Sequence, residues 1–490
     1  MREILKAFFK TGSGSAANVV LTVVALKIMA AVLGPAGIGL LSLLRQIQQT
    51  ALTAGTLSGQ TALVQGASSE RGQDRQDYLR SVLLLFLVGG VLMAAALIVF
   101  APWLAHRVTG KDDAATVSLV RWLALPVFLN TLLVYSSSVL NVERAIGRLA
   151  IVQAGTGLGL ALSAYPAALA VQYGHDLAFI GMISVSMVMG AGLGFVFLWQ
   201  GGWLLPILSE LSQGFRREAA RHFFSFAGTT AVTALVATGT LLVLRALVVN
   251  QAGLPGAGIF DAAWTLSMGY VMLVLTSFQT YYLPTLTQTE VSESRVALMQ
   301  RIFRLSTLIM ILLVTAVIVL KPLVISLLYS TEFTASLTIM RWMLIGDYFK
   351  VTSWIFAMPM LAYADMKTFF WTEIIWNAAF LGLAAGMVVA THSLEGIGVA
   401  FVLTYLTYLA YTFHYARTRH CLKLQRPMVL CWLGGLALIL GASWQTWLST
   451  RVMWPSAALW MGAGFGFAWL ALSVEERRQL RRVVLSTMGA

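Results

Sequence analysis

Apolar runs of roughly 20 residues recur about fourteen times along this chain, and that is the length a helix needs to cross a bilayer. They lie near residues 12–33, 38–65, 79–101, 117–141, 149–171, 177–199, 225–249, 259–283, 302–320, 337–363, 367–390, 396–416, 428–448 and 455–473. In hydrocarbon a segment must satisfy its own backbone polar groups, so such continuous runs fold as helices. Residues are 58% hydrophobic and only 11% charged, more apolar side chain than a soluble domain could bury. The expected fold class is an all-α polytopic membrane protein.

Lys and Arg fix its orientation. They gather at the N-terminus (Arg2, Lys6, Lys10) and in alternate loops, at Arg71, Arg75 and Arg80, at Arg144 and Arg148, at Arg216, Arg217 and Arg221, at Arg295, Arg301 and Arg304, and from Arg417 to Arg426. The opposite loops carry only Arg107, Lys111, Lys321 and Arg451. By the positive-inside rule both termini are cytoplasmic, which requires an even number of spans. The net charge of +13 is therefore mostly topology, and no nucleic-acid partner is implied. The first span follows a basic start but is long and interrupted by polar residues, so it reads as retained. Cys421 and Cys431 lie at the cytoplasmic side, where a disulfide is not expected. Without a nearby His pair they form no metal site, and nothing in the chain calls for a cofactor.

Landmarks repeat at one offset. Arg121-Trp122 recurs as Arg341-Trp342, 220 residues on, and Ala36-Gly37-Ile38 as Ala257-Gly258-Ile259, 221 on. Lys27 and Arg245 stand 218 apart, each late in the first span of its half. The expected organisation is two homologous six-helix lobes, at 1–200 and 225–416, joined by a cytoplasmic linker at 201–224. Residues 427–473 would add two peripheral helices, and 474–490 a basic cytoplasmic tail.

Charges inside the spans carry the functional signal. Lys27, Arg45, Arg121, Arg245, Arg341 and Lys350 lie there against only Asp261, Asp347 and Glu373. A cation in hydrocarbon costs several kcal/mol unless it faces a partner or a water-filled cavity. Lys27, Arg45 and Arg245 point to a cationic cavity for phosphate, where Arg offers a bidentate fork and Lys a point charge. The plainer alternative is snorkelling to the outer headgroups. Arg121 and Arg341 each stand beside a Trp, the composition of an interfacial anchor. Asp347 and Lys350 are three apart and could neutralise each other or be contested by substrate or a proton. Glu373 is a candidate proton site or ion-pair partner, and so is Asp261, for which the plainer alternative is solvation near the outer end of its span.

Gly155-x-x-x-Gly159, Gly190-x-x-x-Gly194 and Gly462-x-x-x-Gly466 are ridges for close helix packing. Pro126 and Pro359 should kink the fourth and tenth spans. There is no phosphate-binding loop for ATP and no credible catalytic Ser, His and Asp set, so the chain reads as a transporter driven by a gradient, the membrane potential or substrate flux.

The stretch from Leu33 to Gly39 (Leu-Gly-Pro-Ala-Gly-Ile-Gly) followed by Arg45-Gln46 resembles the Wzx-type polysaccharide flippases. So do Tyr282-Leu283-Pro284-Thr285-Leu286 and the run from Ile345 to Lys350. Within that family the likeness is greatest to the lipid III flippases of enterobacterial common antigen, and it covers roughly residues 1–416. The resemblance implies a MATE-like two-lobe bundle of the multidrug/oligosaccharidyl-lipid/polysaccharide exporter (MOP) superfamily in the bacterial inner membrane. It also implies an undecaprenyl-pyrophosphate-linked oligosaccharide as substrate, turned from the cytoplasmic to the periplasmic leaflet by alternating access. A polysaccharide polymerase and a chain-length regulator would be its partners, with membrane lipid around it. The match at Arg45, Asp347 and Lys350 implies a functional role there. The two extra C-terminal helices depart from the twelve-span pattern and look like those of lipid II flippases, where such a pair forms a lipid groove.

Four other readings compete. A lipid II-type flippase shares the fold. So does a multidrug cation exporter, which should show buried carboxylates in excess. A membrane glycosyltransferase or polymerase would need a substantial external loop. A non-transporting scaffold would tolerate loss of the buried charges.

Overall fold

A computed structural model describes residues 2–110, 113–209, 215–289, 291–472 and 477, with side chains from residue 17 onward except at 226, 280 and 292. The basic tail expected at 474–490 lies outside the described residues apart from residue 477. So do Lys111, part of the 201–224 segment, and the side chains of Arg2, Lys6 and Lys10.

The described residues form helices and no strands. In the first half these are α1 (Arg2–Thr56), α2 (Gln60–Ser69), α3 (Gly72–Val99), α4 (Ala101–Thr109), α5 (Ala114–Trp122), α6 (Ala124–Val142), α7 (Ile146–Gln172), α8 (Ala178–Gln200) and the short α9 (Leu204–Ser209). There follow α10 (Arg217–Gln288), α11 (Ser292–Leu328), a 3₁₀ turn over Thr331–Ala335, α12 (Ser336–Ala362), α13 (Met366–Thr391), α14 (Glu395–His420), α15 (Arg426–Gln445) and α16 (Trp454–Ala471).

Ten of the described helices are long and apolar enough to cross a membrane. Two of them, runs of 53 and 62 residues, are each two spans joined at a glycine. Gly34 breaks α1 at φ 62° and ψ −164°, and Gly253 breaks α10 at φ 68° and ψ −175°. That backbone region is open essentially to glycine alone. Charge-rich α12, with Arg341, Asp347 and Lys350, and the 18-residue α16 complete about fourteen spans.

The two broken helices also show the internal repeat. Gly34 and Gly253 are 219 apart. A Cβ on Gly39 would strike the Leu254 carbonyl, and one on Gly258 would strike the Pro35 carbonyl. The same offset of 219 carries Gly39 to Gly258 and Pro35 to Leu254, so the counterpart of Gly258 is Gly39 and the match of Ala36-Gly37-Ile38 to Ala257-Gly258-Ile259 at 221 is two residues out of register. The two contacts are thus one contact seen from each side of a local pseudo-twofold, and both need glycine for the backbones to meet.

Packing divides the chain into two compact units, Met1–Asp261 with Leu328–Ser330, and Ala262–Leu327 with Thr331–Ala490. In the first, α1 lies along α7, α7 along α8, and α6 against α3 and α8. Gly155 and Gly159 seat α7 on α8 at Leu193 and Ser186, while Gly190 and Gly194 seat α8 on Leu133, Thr156 and Ser136. Those two ridges work as expected for close packing. Gly462 and Gly466 do not: a Cβ on either would meet nothing within 4 Å among the described residues. The unit boundary falls at Asp261, beyond the 201–224 segment, so the division by packing differs from the division by repeat.

In the second unit α12 and α13 pack on α14, and α15 packs on α12 and α16. The C-terminal pair is less peripheral than its place outside the repeat suggested. Trp432 Nε1 donates to Thr352 Oγ1 at 3.1 Å, the Tyr348 hydroxyl donates to the Trp432 carbonyl at 3.0 Å, and Arg304 donates to the Ala471 carbonyl at 2.6 Å. Pro126 interrupts the fourth span, between α5 and α6, because it has no N–H to give the Trp122 carbonyl, while Leu123 keeps helical angles of φ −60° and ψ −18°. Pro359 lies in the last turn of α12 and marks its end.

Candidate functional site

In the first unit the broken helices α1 and α10 bring three of the expected cations into one region. Lys27 stands seven residues before the Gly34 break and Arg245 eight before Gly253, while Arg45 follows the first break and Asp261 the second. Arg245 is buried and spans two partners. Its Nη2 lies 2.7 Å from Asp261 Oδ1, and its Nη1 donates to the Ser42 carbonyl at 2.8 Å. Lys27 Nζ donates to the Tyr329 carbonyl. Half-buried Arg45 forms no hydrogen bond or ion pair among the described residues, yet lies within electrostatic reach of Asp261, Tyr329 and Arg245. Beside it Gln46 Nε2 donates to the Thr238 carbonyl at 3.0 Å.

Lys27, Arg45 and Arg245 make this cluster basic, and Asp261 pairs with Arg245. Arg45 is the member whose fork is uncommitted. Such a group can take a di-anionic phosphate through charge-assisted bonds without first breaking an internal pair.

Asp261, a candidate coupling or ion-pair group, forms the ion pair; only its solvation near the end of the span fails, because burial of Arg245 demands a buried counter-charge.

The second unit holds a different polar centre. Asp347 is fully buried. Its carboxylate accepts from the Ser267 hydroxyl at 2.8 and 2.9 Å and from the Tyr270 hydroxyl. Lys350 lies within electrostatic reach of Asp347 but forms no direct salt bridge with it. Lys350 Nζ lies 3.0 Å from Met268 Sδ and over the rings of Phe401 and Tyr405, at 5.6 and 5.0 Å from their centroids. Two aromatic faces hold the ammonium by cation–π attraction. Half-buried Glu373 is within electrostatic reach of Lys350. The hydroxyl partners of Asp347 were missed in the sequence, where Ser267 and Tyr270, three apart on one span, gave the only signal.

Two further expectations fail. Arg341 is no interfacial anchor. It is buried, donates through Nε to Glu395 Oε1 at 3.0 Å, and lies 4.5 Å from the Trp447 ring centroid. Trp342 Nε1 shares the same carboxylate at 2.7 Å. Lys321 is no loop residue either, for it is fully buried within α11. Arg121 and Trp122, by contrast, are exposed, as an anchor should be.

The profile of a family described as polysaccharide biosynthesis protein matches residues 28–338, more than half of the chain. The chain belongs to that family. This polysaccharide biosynthesis protein is also 24% identical to proteins named lipid III flippase from Escherichia coli K12 and Shigella flexneri, over 397 residues that cover 78% of this chain and 91% of each of theirs. Among solved structures it is similar to the lipid II flippase MurJ in an inward closed conformation, with a TM-score of 0.67, 13% identity and coverage of 97% of this chain and 100% of that one. An inward-facing multidrug resistance MATE family transporter of the MOP superfamily gives 0.64 at 14% identity, covering 84% and 94%. These likenesses to solved structures show a MurJ- and MATE-like fold.

Proposed function

We propose that this protein is a lipid-linked oligosaccharide flippase of the bacterial inner membrane. Its substrate is an undecaprenyl-pyrophosphate-linked oligosaccharide, moved from the cytoplasmic to the periplasmic leaflet by alternating access of lobes at 1–200 and 225–416. The observation that carries the reading is the basic cluster of Lys27, Arg45 and Arg245, which Asp261 only partly offsets. Its basic character, with the Arg45 fork uncommitted among the described residues, suits a pyrophosphate and would repel a drug cation, which weighs against the multidrug reading. The names of the lipid III flippases, which the chain covers over 91% of their length, support the same substrate class.

In this reading Arg45 makes the first contact with the pyrophosphate. The anion then competes with Asp261 for Arg245, and Lys27 adds a point charge. Lys350 is a further substrate contact in the second unit, and Asp347 and Glu373 are the candidate coupling groups. An apolar cavity of about 330 Å³, walled by Phe303, Phe356, Phe413, Val429 and Trp432, supports a role for the C-terminal helices in holding the polyprenyl tail. A polymerase and a chain-length regulator would act on the product.

The test uses cells in which this protein is depleted. The carrier-linked oligosaccharide should accumulate in the cytoplasmic leaflet, beyond reach of a glycosidase added to spheroplasts. Accumulation of an accessible, periplasmic pool would point to a polymerase and sink the flippase reading.

A further inference from the structure

A cleft of about 540 Å³ lies in the second unit between the distal part of α10 and the first half of α11. That volume is within the range of small-ligand sites. Its walls are apolar, with Leu273 and Phe278 on one side and Leu305 and Ile309 on the other. The lining positions of α10 run from 270 to 281 in alternating steps of three and one, the stripe that a single helix face presents. Eleven steps of about 1.5 Å make the stripe roughly 16 Å long. The lining of α11, from 301 to 313, comes to roughly 18 Å by the same rise. Both are close to half of the roughly 30 Å hydrocarbon core, the depth of one leaflet.

The two polar residues of interest in this lining are Arg301 and Tyr270. Three arginines stand near the start of α11, and two are committed. Arg295 Nε donates to the Thr289 carbonyl at 2.7 Å and its guanidinium lies over Tyr363, while Arg304 donates to the Ala471 carbonyl. Arg301 is exposed and forms no hydrogen bond or ion pair among the described residues. The positive-inside rule puts it at the cytoplasmic headgroups. At the other end of the stripe is Tyr270, whose hydroxyl donates to Asp347.

We infer that this cleft binds an anionic phospholipid of the cytoplasmic leaflet, with its phosphate on Arg301 and one acyl chain along the walls toward Tyr270. A helix face that merely touches bulk lipid needs only to be apolar; this one is concave, one leaflet deep and ends at a free cation. One guanidinium matches one phosphate, and a C55 polyisoprenoid would overrun the cleft, so the occupant is a phospholipid and not the substrate. Because Tyr270 both lines the cleft and holds Asp347, lipid in the cleft orders the ring that supports the buried carboxylate. The site is separate from the basic cluster and stands whether or not the flippase reading does.

The experiment measures lipid binding to the purified, delipidated full-length protein by native mass spectrometry and by thermal shift. The probes are phosphatidylglycerol, phosphatidylcholine and undecaprenyl phosphate. Phosphatidylglycerol should bind and raise the melting temperature more than phosphatidylcholine. R301Q should weaken phosphatidylglycerol by about tenfold or more, the loss of one charge-assisted phosphate contact, without changing the lipid-free melting temperature. Leu305→Trp, which fills the cleft, should lower binding of both phospholipids. Equal effects of the two phospholipids, or an R301Q protein that binds phosphatidylglycerol like wild type, would overturn the site. An Arg301-dependent preference for undecaprenyl phosphate over phosphatidylglycerol would overturn the occupant.

Discussion

Asp261→Asn is the substitution that best probes the basic cluster. Arg245 and Asp261 meet at 2.7 Å with side chains only 8% and 11% exposed. Removing the carboxylate leaves Arg245 buried with the Ser42 carbonyl and without the counter-charge of Asp261. Breaking a buried pair in this way costs about 3–5 kcal/mol, because the stranded charge remains desolvated. Replacing both residues, as Arg245→Leu with Asp261→Leu, removes the charge along with its partner and should cost less than Asp261→Asn alone. Unfolding midpoints in detergent, followed by tryptophan fluorescence, should therefore rank wild type first, the double variant next and Asp261→Asn last. The double variant should still be inactive in transport, since the Arg245 fork is gone. An Asp261→Asn protein as stable as wild type, or a double variant less stable than Asp261→Asn, would refute the pairing argument.

Gly34→Ala and Gly253→Ala should each cost about 1–3 kcal/mol, because their backbone angles exclude a side chain; equal melting temperatures for wild type and variants would count against the broken-helix geometry. Asp365 caps α13, accepting from Thr368 Oγ1 and the Tyr415 hydroxyl at 2.9 Å each. Burial pushes its carboxyl up, but the bonds from Thr368 and Tyr415 and the nearby Arg419 outweigh this and hold it below the ordinary carboxylate value. A folded pKa below the unfolded one means stability that is present above the unfolded value and lost as pH falls through the folded value. Asp365→Asn should therefore lower stability near neutral pH and flatten its decline below about pH 4. Deleting 427–473 should reduce both transport and stability, because Thr352 and Tyr348 lose their bonds to Trp432; a truncated protein that transports normally would make the pair dispensable.

The spans and the repeat were legible because lipid leaves few choices. A 20-residue apolar run must be a helix, and a repeated glycine motif points to a duplication, although its register reads two residues off in sequence alone because Gly37 and Gly39 both precede similar residues. The partners of the buried charges were not. Arg245 meets Asp261 across the break at Gly253, which turns a 16-residue separation into a contact that helix periodicity does not give. Arg341 finds Glu395, 54 residues away, and Asp347 finds Ser267, 80 residues away. Such pairs depend on which helices adjoin, information absent from any single span. The same limit explains why Lys321 and Arg341 passed for residues of the membrane surface while both are buried.

The central claim is that this cluster recognises a pyrophosphate, and Arg45 tests it most directly because its loss breaks no internal pair. Affinity of the purified protein for undecaprenyl pyrophosphate should fall roughly 10- to 150-fold in Arg45→Ala, the equivalent of about 1.5–3 kcal/mol for one charge-assisted contact. Arg45→Lys should recover part of that loss, since the charge returns without the fork. Exposed Arg121→Ala should bind like wild type. Unchanged affinity in Arg45→Ala, with the protein folded at wild-type yield, would contradict the account.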